Sequence, residues 1–380
     1  MRRLTISIIC LFYLLILFQF GAGEEIKFDD LYSYPMVGSP RFSPDSEQIL
    51  FTVKTYDLKT NSSEKHIWKM NIDGSKQARV DNDSSDKWNP IWLQNGKQLI
   101  YESNKEKTYQ IYLQDFENSS SKKLTSLTMG AWDAILSPIG DKILFVSESY
   151  PGCVTDSCNQ IRKEKEESNP IIAKLYDKLM FRHYKYWDDD LKQQLFIYDI
   201  QNDSVYQLTN ETSDVPTTTL GGHTDYCFSN DGSEICFVMN RDSILALSTN
   251  NDLFTVFSAG GVPTKITNNK GQDHTPRYSP DGKYISFRSQ ARAGYESDQY
   301  ELKLYNRKSG EVTNLTAEFD YSIGCYNWGP KSNYIYFDAI KNGFNMLWRI
   351  NTKNHKIENL LHDSVYDDLD SALSEFKNIC

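Results

Sequence analysis

The chain has 380 residues and is acidic, with 51 Asp and Glu side chains against 41 Lys and Arg and a formal net charge of −10. This balance argues against nucleic acid and anionic membrane surfaces as partners, because both repel an acidic protein. The sequence also lacks an HExxH motif, a glycine-rich phosphate loop and EF-hand spacing, so we expect no metal and no cofactor.

Residues 1–23 differ in composition from the rest of the chain. Two basic residues, Arg2 and Arg3, precede an uncharged, mostly apolar run from Leu4 to Phe20, and three small residues follow it. This order predicts a secretory signal peptide, while the length of the apolar run leaves an uncleaved membrane anchor as the alternative. In either case we expect the remaining chain to be secreted or lumenal in the secretory pathway.

One repeated pattern organises the chain as far as residue 361. Its clearest copy, YSPDGKYISF at 278–287, joins a turn sequence to an alternating strand sequence and predicts a β-hairpin. Six copies occur, with their last turn residues at positions 46, 96, 140, 232, 282 and 332. A second hairpin pattern follows each copy, which gives four antiparallel strands in roughly 40 to 50 residues, the size of a β-propeller blade. We therefore predict an all-β fold, a β-propeller over residues 24–361 with six recognisable blades, and an acidic tail over residues 362–380.

One step between copies, from position 140 to position 232, is nearly twice as long as the others. The surplus lies between the second and third predicted strands of the third blade, at about 148–190. In an antiparallel blade, such loops open at the same end as the connectors between blades, and the SPDG-type turns open at the other end. The corresponding loop of the fifth blade, 289–299, shares the end of the insertion. Loops carried on a rigid scaffold are where binding sites usually lie.

Six cysteines lie outside the signal peptide, and an oxidising compartment makes disulfides the default expectation. Cys227 and Cys236 stand symmetrically about a turn. A two-residue turn would place them directly opposite each other at a non-hydrogen-bonded position, where β-carbons are closest. Cys153 and Cys158 are close enough in sequence to be bridged, and metal binding is the weaker alternative because no second close Cys/His pair completes a site. The sequence gives no pairing for Cys325 and Cys380.

Asn-X-Ser/Thr sequons are a further sign of a secretory protein. Six occur, at Asn61, Asn82, Asn118, Asn202, Asn210 and Asn314. Most lie in or beside predicted turns, where an acceptor asparagine is accessible to glycosylation. They support the signal peptide and do not replace it, since sequons also arise by chance in Asn- and Ser-rich chains.

Three features together carry a resemblance to a known family. They are the SPDG-type repeats, the insertion segment from Tyr176-Asp177 through Arg182-His183 to Trp187, and ARAGYESD at 291–298. Over about 28–360 the chain resembles the N-terminal propeller of the dipeptidyl peptidase 5-like and acylaminoacyl peptidase branch of the prolyl oligopeptidase family, which are serine peptidases. In that family the propeller covers an α/β-hydrolase domain, restricts entry to short peptides and helps to hold the substrate's free amino terminus. The hydrolase domain supplies a Ser-Asp-His triad.

The resemblance implies a set of substrate-binding residues on the loop end of the propeller. They are Arg182, His183, Trp187, Arg292, Tyr295, Glu296 and Asp298, with Glu166 and Glu167 as less certain acids for the substrate's ammonium group. The alternative for any one of them is local packing or a solvated charge run. The partners expected on this basis are short peptides or a homologue that contains the hydrolase domain.

The sequence departs from the family at the catalytic half. No G-x-S-x-G nucleophile elbow occurs, so we predict no catalytic residue in this chain and no activity of the chain alone. The hypothesis is a non-catalytic propeller part of a secreted dipeptidyl peptidase-like serine peptidase. The alternative is a free-standing secreted β-propeller that binds peptides or proteins.

The family's propeller has seven blades, whereas this sequence has six repeats, so we expect a truncated seven-bladed propeller. One face of the first repeat and one of the sixth would then be uncovered. We expect the chain to be poorly folded, or dimeric through those faces, or closed by a makeshift strand pair of the segment 26–37 with the tail. The apolar residues expected on those faces are Phe51, Ile67, Trp68, Ile335, Phe337 and Trp348.

Overall fold

The computed structural model describes residues 26–360, except 82, 107, 178, 180, 184, 185, 188, 189 and 218–224. This part of the chain is almost entirely β-structure. Six four-stranded antiparallel sheets follow one another along the sequence, and they are the blades of a six-bladed β-propeller, as the repeats predict. No helix within the described ranges has both the length and the apolar character needed to cross a membrane. The signal-peptide and tail predictions fall outside the described residues.

The blades have the following strands, numbered in chain order, with one short helix, α1 (Asp30–Ser33), before the first. Blade 1 comprises β1 (Met36–Phe42), β2 (Gln48–Asp57), β3 (Ser62–Asn71) and β4 (Ala78–Arg79). Blade 2 comprises β5 (Lys87–Trp92), β6 (Gln98–Ser103), β7 (Gln110–Asp115) and β8 (Ser120–Lys123). Blade 3 comprises β9 (Trp132–Leu136), β10 (Lys142–Ser149), β13 (Lys192–Asp199) and β14 (Ser204–Gln207); between its second and third strands lie helix α2 (Asp156–Glu167) and the ribbon β11 (Arg182–His183) and β12 (Tyr186–Trp187).

The last three blades carry shorter loops. Blade 4 comprises β15 (Tyr226–Phe228), β16 (Glu234–Met239), β17 (Asp252–Phe257) and β18 (Thr264–Lys265), with a 3₁₀ turn at Leu245–Leu247. Blade 5 comprises β19 (Asp273–Tyr278), β20 (Tyr284–Ser289), β21 (Glu301–Asn306) and β22 (Val312–Asn314). Blade 6 comprises β23 (Tyr326–Trp328), β24 (Tyr334–Lys341), β25 (Phe344–Asn351) and β26 (Ile357–Asn359).

The SPDG-type turns are four-residue loops, longer than the two-residue turn on which the predicted Cys227–Cys236 bridge depended. In blade 5 the N–H of Ser279 donates to the carbonyl of Tyr284 at 2.9 Å, and the N–H of Gly282 donates to the carbonyl of Ser279 at 2.8 Å. Gly282 has φ of 69°, a left-handed value that explains the glycine. The closing bond recurs in the other five blades, between Ser43 and Gln48, Leu93 and Gln98, Ser137 and Lys142, Ser229 and Glu234, and Gly329 and Tyr334.

Turn length also decides the predicted Cys227–Cys236 bridge. The two residues are direct cross-strand partners, as predicted. However, the N–H of Ser229 donates to Glu234 and that of Val238 donates to Asp225. Because the two kinds of pair alternate along a ladder, Cys227 and Cys236 occupy a hydrogen-bonded position, where the strands are farther apart. Both remain free thiols in the structure, so the predicted disulfide is not formed there.

The outer hairpins share a threonine that the sequence repeats as Leu-Thr or Ile-Thr. In four blades its hydroxyl oxygen accepts a backbone N–H near the start of the third strand at 2.9 Å, that of Ile111, Leu195, Leu253 or Leu302. These threonines are Thr125, Thr209, Thr267 and Thr316. A side-chain acceptor therefore continues the ladder where the short fourth strand ends.

The buried apolar side chains form five clusters, and each cluster joins two consecutive blades. None of the five joins blade 6 to blade 1. Our expectation for the residues on the uncovered faces was wrong, because most of them lie on covered faces. Ile67 packs with blade 2, and Ile335, Phe337 and Trp348 pack with blade 5. Elsewhere on blade 6, Ile340 is 65% exposed and Phe344 is 53% exposed.

Residues 26–36 and 54–64 make up a compact unit distinct from the rest of the chain. The segment 26–35 contains α1 and no strand, which argues against the makeshift strand pair, one of the three alternatives expected. Within this unit the rings of Tyr32 and Tyr56 meet edge to face at 5.6 Å, and the Tyr56 hydroxyl donates to the Met36 sulfur at 3.3 Å.

Candidate functional site

The connectors and the loops between second and third strands lie at one end of the blades, as the antiparallel geometry predicts. The carboxylate of Asp156, the first residue of α2, accepts hydrogen bonds from the N–H and the hydroxyl of Thr128, both at 2.9 Å. Thr128 lies in the connector from blade 2 to blade 3. The SPDG-type turns meet each other at the opposite end, where Asn230 donates to the Ser279 carbonyl at 2.8 Å.

The base of the blade 3 insertion is fixed by covalent and polar contacts. A disulfide joins Cys153 to Cys158, which confirms this predicted pair. The Thr155 hydroxyl caps α2 by accepting the N–H of Cys158 at 3.3 Å. Asn159, only 2% exposed, accepts the N–H of Tyr150 at 3.0 Å. The helix is therefore held against the end of β10.

The two candidate acids of α2 differ in their contacts. Glu166 accepts a hydrogen bond from the Tyr150 hydroxyl at 2.7 Å, and the guanidinium of Arg162 lies over the same tyrosine ring at 5.6 Å. Glu167 is the exposed last residue of the helix. Both acids stand at the carbonyl end of the helix, where the macrodipole is negative, so this end attracts cations.

The ribbon at the far end of the insertion carries an aromatic stack. Arg182 pairs with Trp187 across the two strands, and His183 pairs with Tyr186; the side chain of His183 lies outside the described part. The Trp187 ring stacks on Tyr176 at 5.8 Å and is 54% exposed. The ribbon therefore presents a flat apolar ring beside the Arg182 backbone.

The blade 5 loop is shaped by two polar residues beneath it. Asp298 accepts the backbone N–H groups of Arg292 at 2.8 Å and Ala291 at 2.9 Å, and these bonds, that of Arg292 foremost, lower the pKa of its carboxyl. Gln290 is fully buried and donates to the carbonyls of Asp298 and Glu296, at 2.6 and 3.0 Å. Asp298 thus has a structural role in the loop that the sequence did not indicate.

The remaining candidates of this loop face solvent. The guanidinium of Arg292 lies 4.1 Å from the centre of the Tyr295 ring. Glu296 is exposed, and its carboxylate makes no hydrogen bond or ion pair with any residue that the structure describes. The N–H of Gly294 donates to the Thr249 hydroxyl at 2.9 Å, which ties this loop to that of blade 4. The blade 5 loop and the insertion are therefore held by separate sets of contacts.

Other candidate positions are distributed over the surface. The sequon residues Asn61, Asn118, Asn202 and Asn210 are exposed, Asn314 is half-buried, and Asn82 lies outside the described residues. Across the described ranges no group of three or more His, Cys, Asp or Glu is placed to hold a metal. A cavity of about 670 Å³ lies between the outer strands of blades 4 and 5, lined in part by Phe257, Tyr284 and Tyr305; it contains none of the predicted substrate residues.

Sequence reasoning missed a set of buried and half-buried polar residues that join neighbouring blades. The Nδ1–H of His274 donates to the Asp225 carboxylate at 3.0 Å. The Arg288 guanidinium donates to the Gly324 carbonyl at 3.2 Å. Glu102 is fully buried, and desolvation raises its pKa to about 7. The one available signal was a charged residue at an apolar position of a strand.

Sequence comparison identifies relatives over most of the chain. Residues 32–168 match the family described as TolB beta propeller domain. A dipeptidyl-peptidase 5 of Porphyromonas gingivalis is 26% identical over 347 residues, which cover 90% of this chain and 50% of the relative. A probable dipeptidyl-peptidase 5 of Arthroderma benhamiae is 23% identical and covers 90% of this chain and 51% of the relative.

Solved structures agree on the fold. Acylaminoacyl peptidase of Pyrococcus horikoshii has a TM-score of 0.62 at 15% identity, covering 88% of this chain and 47% of that one. The β-propeller domain of the Trilobed protease from Pyrococcus furiosus has a TM-score of 0.57 at 17% identity, covering 87% and 85%. The chain is therefore a β-propeller of the kind that these peptidases carry.

The sequence relatives identify a narrower group of proteins than the fold does. The chain is a homologue of dipeptidyl-peptidase 5 and spans about half the length of the curated relatives it matches. The family resemblance found in the sequence is confirmed.

Proposed function

We propose that the chain is the propeller part of a secreted dipeptidyl peptidase-like serine peptidase, in which it gates access and binds the amino terminus of short peptides. The observation that carries the proposal is the homology, over 90% of this chain, to half of dipeptidyl-peptidase 5. The chain itself has no nucleophile elbow, so the acyl transfer would be the work of a hydrolase half.

Glu296 is the best-placed acid for the substrate's ammonium group. Its carboxylate is exposed and unpaired among the described residues, while the backbone beside it is fixed by the buried Gln290. A fixed backbone lowers the entropy lost when the acid binds a cation, and a charge-assisted hydrogen bond in a partly desolvated mouth is stronger than one on open surface.

The insertion supplies two complementary features. The carbonyl end of α2, with Glu166 and Glu167, favours a cation. Trp187 offers an exposed ring for an apolar side chain, and Arg182 offers a guanidinium for a peptide carbonyl or carboxylate. Asp298 contributes to the proposed site through the shape of the loop, because its carboxylate accepts the backbone N–H groups of Ala291 and Arg292.

Calorimetric titration with a short peptide tests the proposal. We expect binding of the free-amino form to weaken at least tenfold when the amino terminus is acetylated or when Glu296 is changed to Gln. The matched control is Glu311→Gln, since Glu311 is an exposed acid in the turn after β21. Equal affinity for the free and acetylated peptides would remove the acids from this role.

The second candidate is a free-standing secreted β-propeller that binds proteins through the insertion. It is favoured by the exposed apolar side chains there, such as Ile172 at 96% and Leu175 at 97%, because such residues mark interaction surfaces when they are contiguous. Co-elution of the chain with a hydrolase domain from a dipeptidyl-peptidase 5 would favour the first candidate. If the double variant Ile172→Ser, Leu175→Ser co-elutes as well as the native chain, the exposed apolar surface of the insertion binds a different partner.

A further inference from the structure

A buried carboxylate joins blades 2 and 3 close to the loop end. Glu102 on β6 is 0% exposed, and its Oε1 accepts the backbone N–H of Ala134 in β9 at 2.8 Å. The Asn89 amide donates to the same oxygen at 2.7 Å and to the Ala134 carbonyl at 2.9 Å. Side chains of blade 2 therefore bind both the N–H and the carbonyl of Ala134.

The other carboxylate oxygen has a different partner. Oε2 accepts the indole N–H of Trp88 at 2.6 Å. Trp88 is half-buried, and its ring meets Tyr109 edge to face at 4.5 Å. The Glu102 charge is thus held by three donors, one of which belongs to a side chain that reaches the surface.

Burial and a neighbouring carboxylate outweigh the hydrogen bonds to Glu102, so the pKa of its carboxyl is raised. Burial is the largest cause of its raised pKa of about 7, and the carboxylate of Asp133 on β9 adds to it. The phenol of Tyr226 on β15 also interacts electrostatically with Glu102. No Lys, Arg or His in the described ranges forms a hydrogen bond or ion pair with Glu102. Between pH 6 and pH 8 the ionised fraction then rises from about one tenth to about nine tenths.

Contacts continue from Trp88 to the insertion. The carbonyl of Tyr109 accepts the N–H of Ala131 at 2.8 Å, which fixes the connector between blades 2 and 3. Three residues earlier in that connector, Thr128 is held by Asp156 of α2, and its carbonyl accepts Lys163 of the same helix at 3.4 Å. A shift of Tyr109 therefore reaches the base of α2 through contiguous groups.

We propose that the Glu102 carboxyl is a proton-operated latch between blades 2 and 3, which releases the Trp88 indole when it takes up a proton and thereby loosens the connector that holds α2. The ionised carboxylate accepts all three donors. A protonated carboxyl has an O–H that needs an acceptor, and Oε2 faces only the N–H of Trp88, so two hydrogens would oppose each other there. The bond to Trp88 breaks, while Oε1 keeps its two donors.

The test is a ¹⁵N NMR titration of the whole chain from pH 5.5 to 8.5. Loss of one indole signal in Trp88→Phe assigns the Trp88 N–H, and the amide of Thr128 reports the connector. We expect both signals to move with one shared midpoint near neutral pH. In Glu102→Gln neither should titrate, and Asp133→Asn should shift the midpoint to lower pH because it removes the facing carboxylate. Glu106→Gln, which changes an exposed acid beside Tyr109, should leave the midpoint unchanged.

Several results would overturn the latch. The proposal is wrong if the chemical shift of the Trp88 indole does not change with pH in the native chain. It is also wrong if that shift still titrates in Glu102→Gln. If Glu102→Gln does not fold, the Asp133→Asn midpoint decides, because an unchanged midpoint there assigns the titration to another group. Movement of the Trp88 signal without movement of Thr128 would contradict the coupling to α2.

Discussion

Blades 2 and 5 place opposite charges at the same two positions of the repeat. The innermost strand of blade 2 begins with Lys87, which pairs with Ser103, and that of blade 5 begins with Asp273, which pairs with Ser289. Lys87 is 1% exposed and Asp273 is 0% exposed. The repeat therefore fixes the backbone and the burial of this position and leaves the sign of the charge to local partners.

The two charges are compensated to different degrees. The Lys87 ammonium contacts Asp81 at 3.0 Å, the Ser85 hydroxyl at 3.0 Å, and Asp83. Asp273 accepts the Asn269 amide at 2.6 Å, but burial still raises the pKa of its carboxyl, and its second oxygen has no hydrogen-bond partner in the described part. The cation lies in a complete shell of oxygens, whereas the anion does not.

The next cross-strand pair shows the same exchange. Glu102 lies opposite Trp88 in blade 2, and Arg288 lies opposite His274 in blade 5. Glu102 accepts a backbone N–H of blade 3, while Arg288 donates to a backbone carbonyl of blade 6. Either sign serves to join a blade to its successor, since a peptide group offers both a donor and an acceptor.

Removal of the buried Lys87 ammonium should produce the largest change in the free energy of unfolding. In Lys87→Met, Asp81 and Asp83 lose their shared cation while Asp81 remains mostly buried, and breaking a buried ion pair from one side costs about 3 to 5 kcal/mol. We expect the free energy of unfolding in urea to fall by that amount at pH 7. The matched control is Lys97→Met in the same blade, whose pair with Glu117 is exposed on both sides, and it should change the free energy by less than about 1 kcal/mol. Similar losses in both variants would refute the claim of a compensated interior cation.

The pH dependence of stability follows from acids whose pKa values are raised by burial. Glu102 titrates at about 7 and Asp252 at about 6 in the folded chain, both above their unfolded values. The folded state therefore binds more protons between pH 5 and pH 8, so the free energy of unfolding should fall as pH rises. The difference for Glu102 corresponds to about 3 kcal/mol, and Glu102→Gln should flatten the curve. Urea titrations at pH 5 and pH 8 measure it, and greater stability at pH 8 would contradict the assignment.

The sequence predicted the blades but not these interior charges. Regular spacing of turn and strand patterns suffices to count blades, because every copy must form the same hairpin. The position of Glu102 and Arg288 is occupied by Thr52, Val146 and Val238 in blades 1, 3 and 4 and by Asp338 in blade 6, so the repeat pattern specifies neither a charge nor its sign there. What makes the charges tolerable is a partner in the next blade, and a local pattern does not contain it.

The same limit applies to the candidate site. Loop lengths placed the insertion and the blade 5 loop at one end, since topology alone decides the end. The role of Asp298 depends on which loop N–H groups point inward. Whether Cys227 lies at a hydrogen-bonded or a non-hydrogen-bonded position depends on the length of the turn between it and Cys236. Both are properties of the folded backbone that residue types do not specify.

Arg288→Ala should have the third largest effect. The variant loses a charged hydrogen bond to the Gly324 carbonyl, another to the Thr275 hydroxyl at 3.1 Å, and the contact with the Tyr300 ring at 4.9 Å. We expect a loss of about 2 kcal/mol in the free energy of unfolding. Arg288→Lys should recover only part of it, because an ammonium cannot reach both acceptors in the fork geometry of a guanidinium. Full stability of Arg288→Ala would mean that the other contacts between blades 5 and 6 suffice, among them the bond from the Trp328 indole to the Ser286 hydroxyl at 2.8 Å.

Neutralising Asp273 should have the smallest effect and the opposite sign to that of Lys87→Met. Asp273→Asn keeps the shape of the side chain and places an amide nitrogen where the second carboxylate oxygen lacks a donor, so no existing hydrogen bond is opposed. It also removes a buried charge whose folded pKa is raised, and Lys303 retains its contacts with Glu301 and Ser289. We expect a gain of up to about 1 kcal/mol in the free energy of unfolding at pH 8, and the gain should shrink as pH falls, because the raised pKa lets the native carboxyl take up a proton. A loss of more than about 1 kcal/mol at pH 8 would show that the anion, like the cation of blade 2, is fully compensated, and the contrast between the two blades would then be one of sign alone.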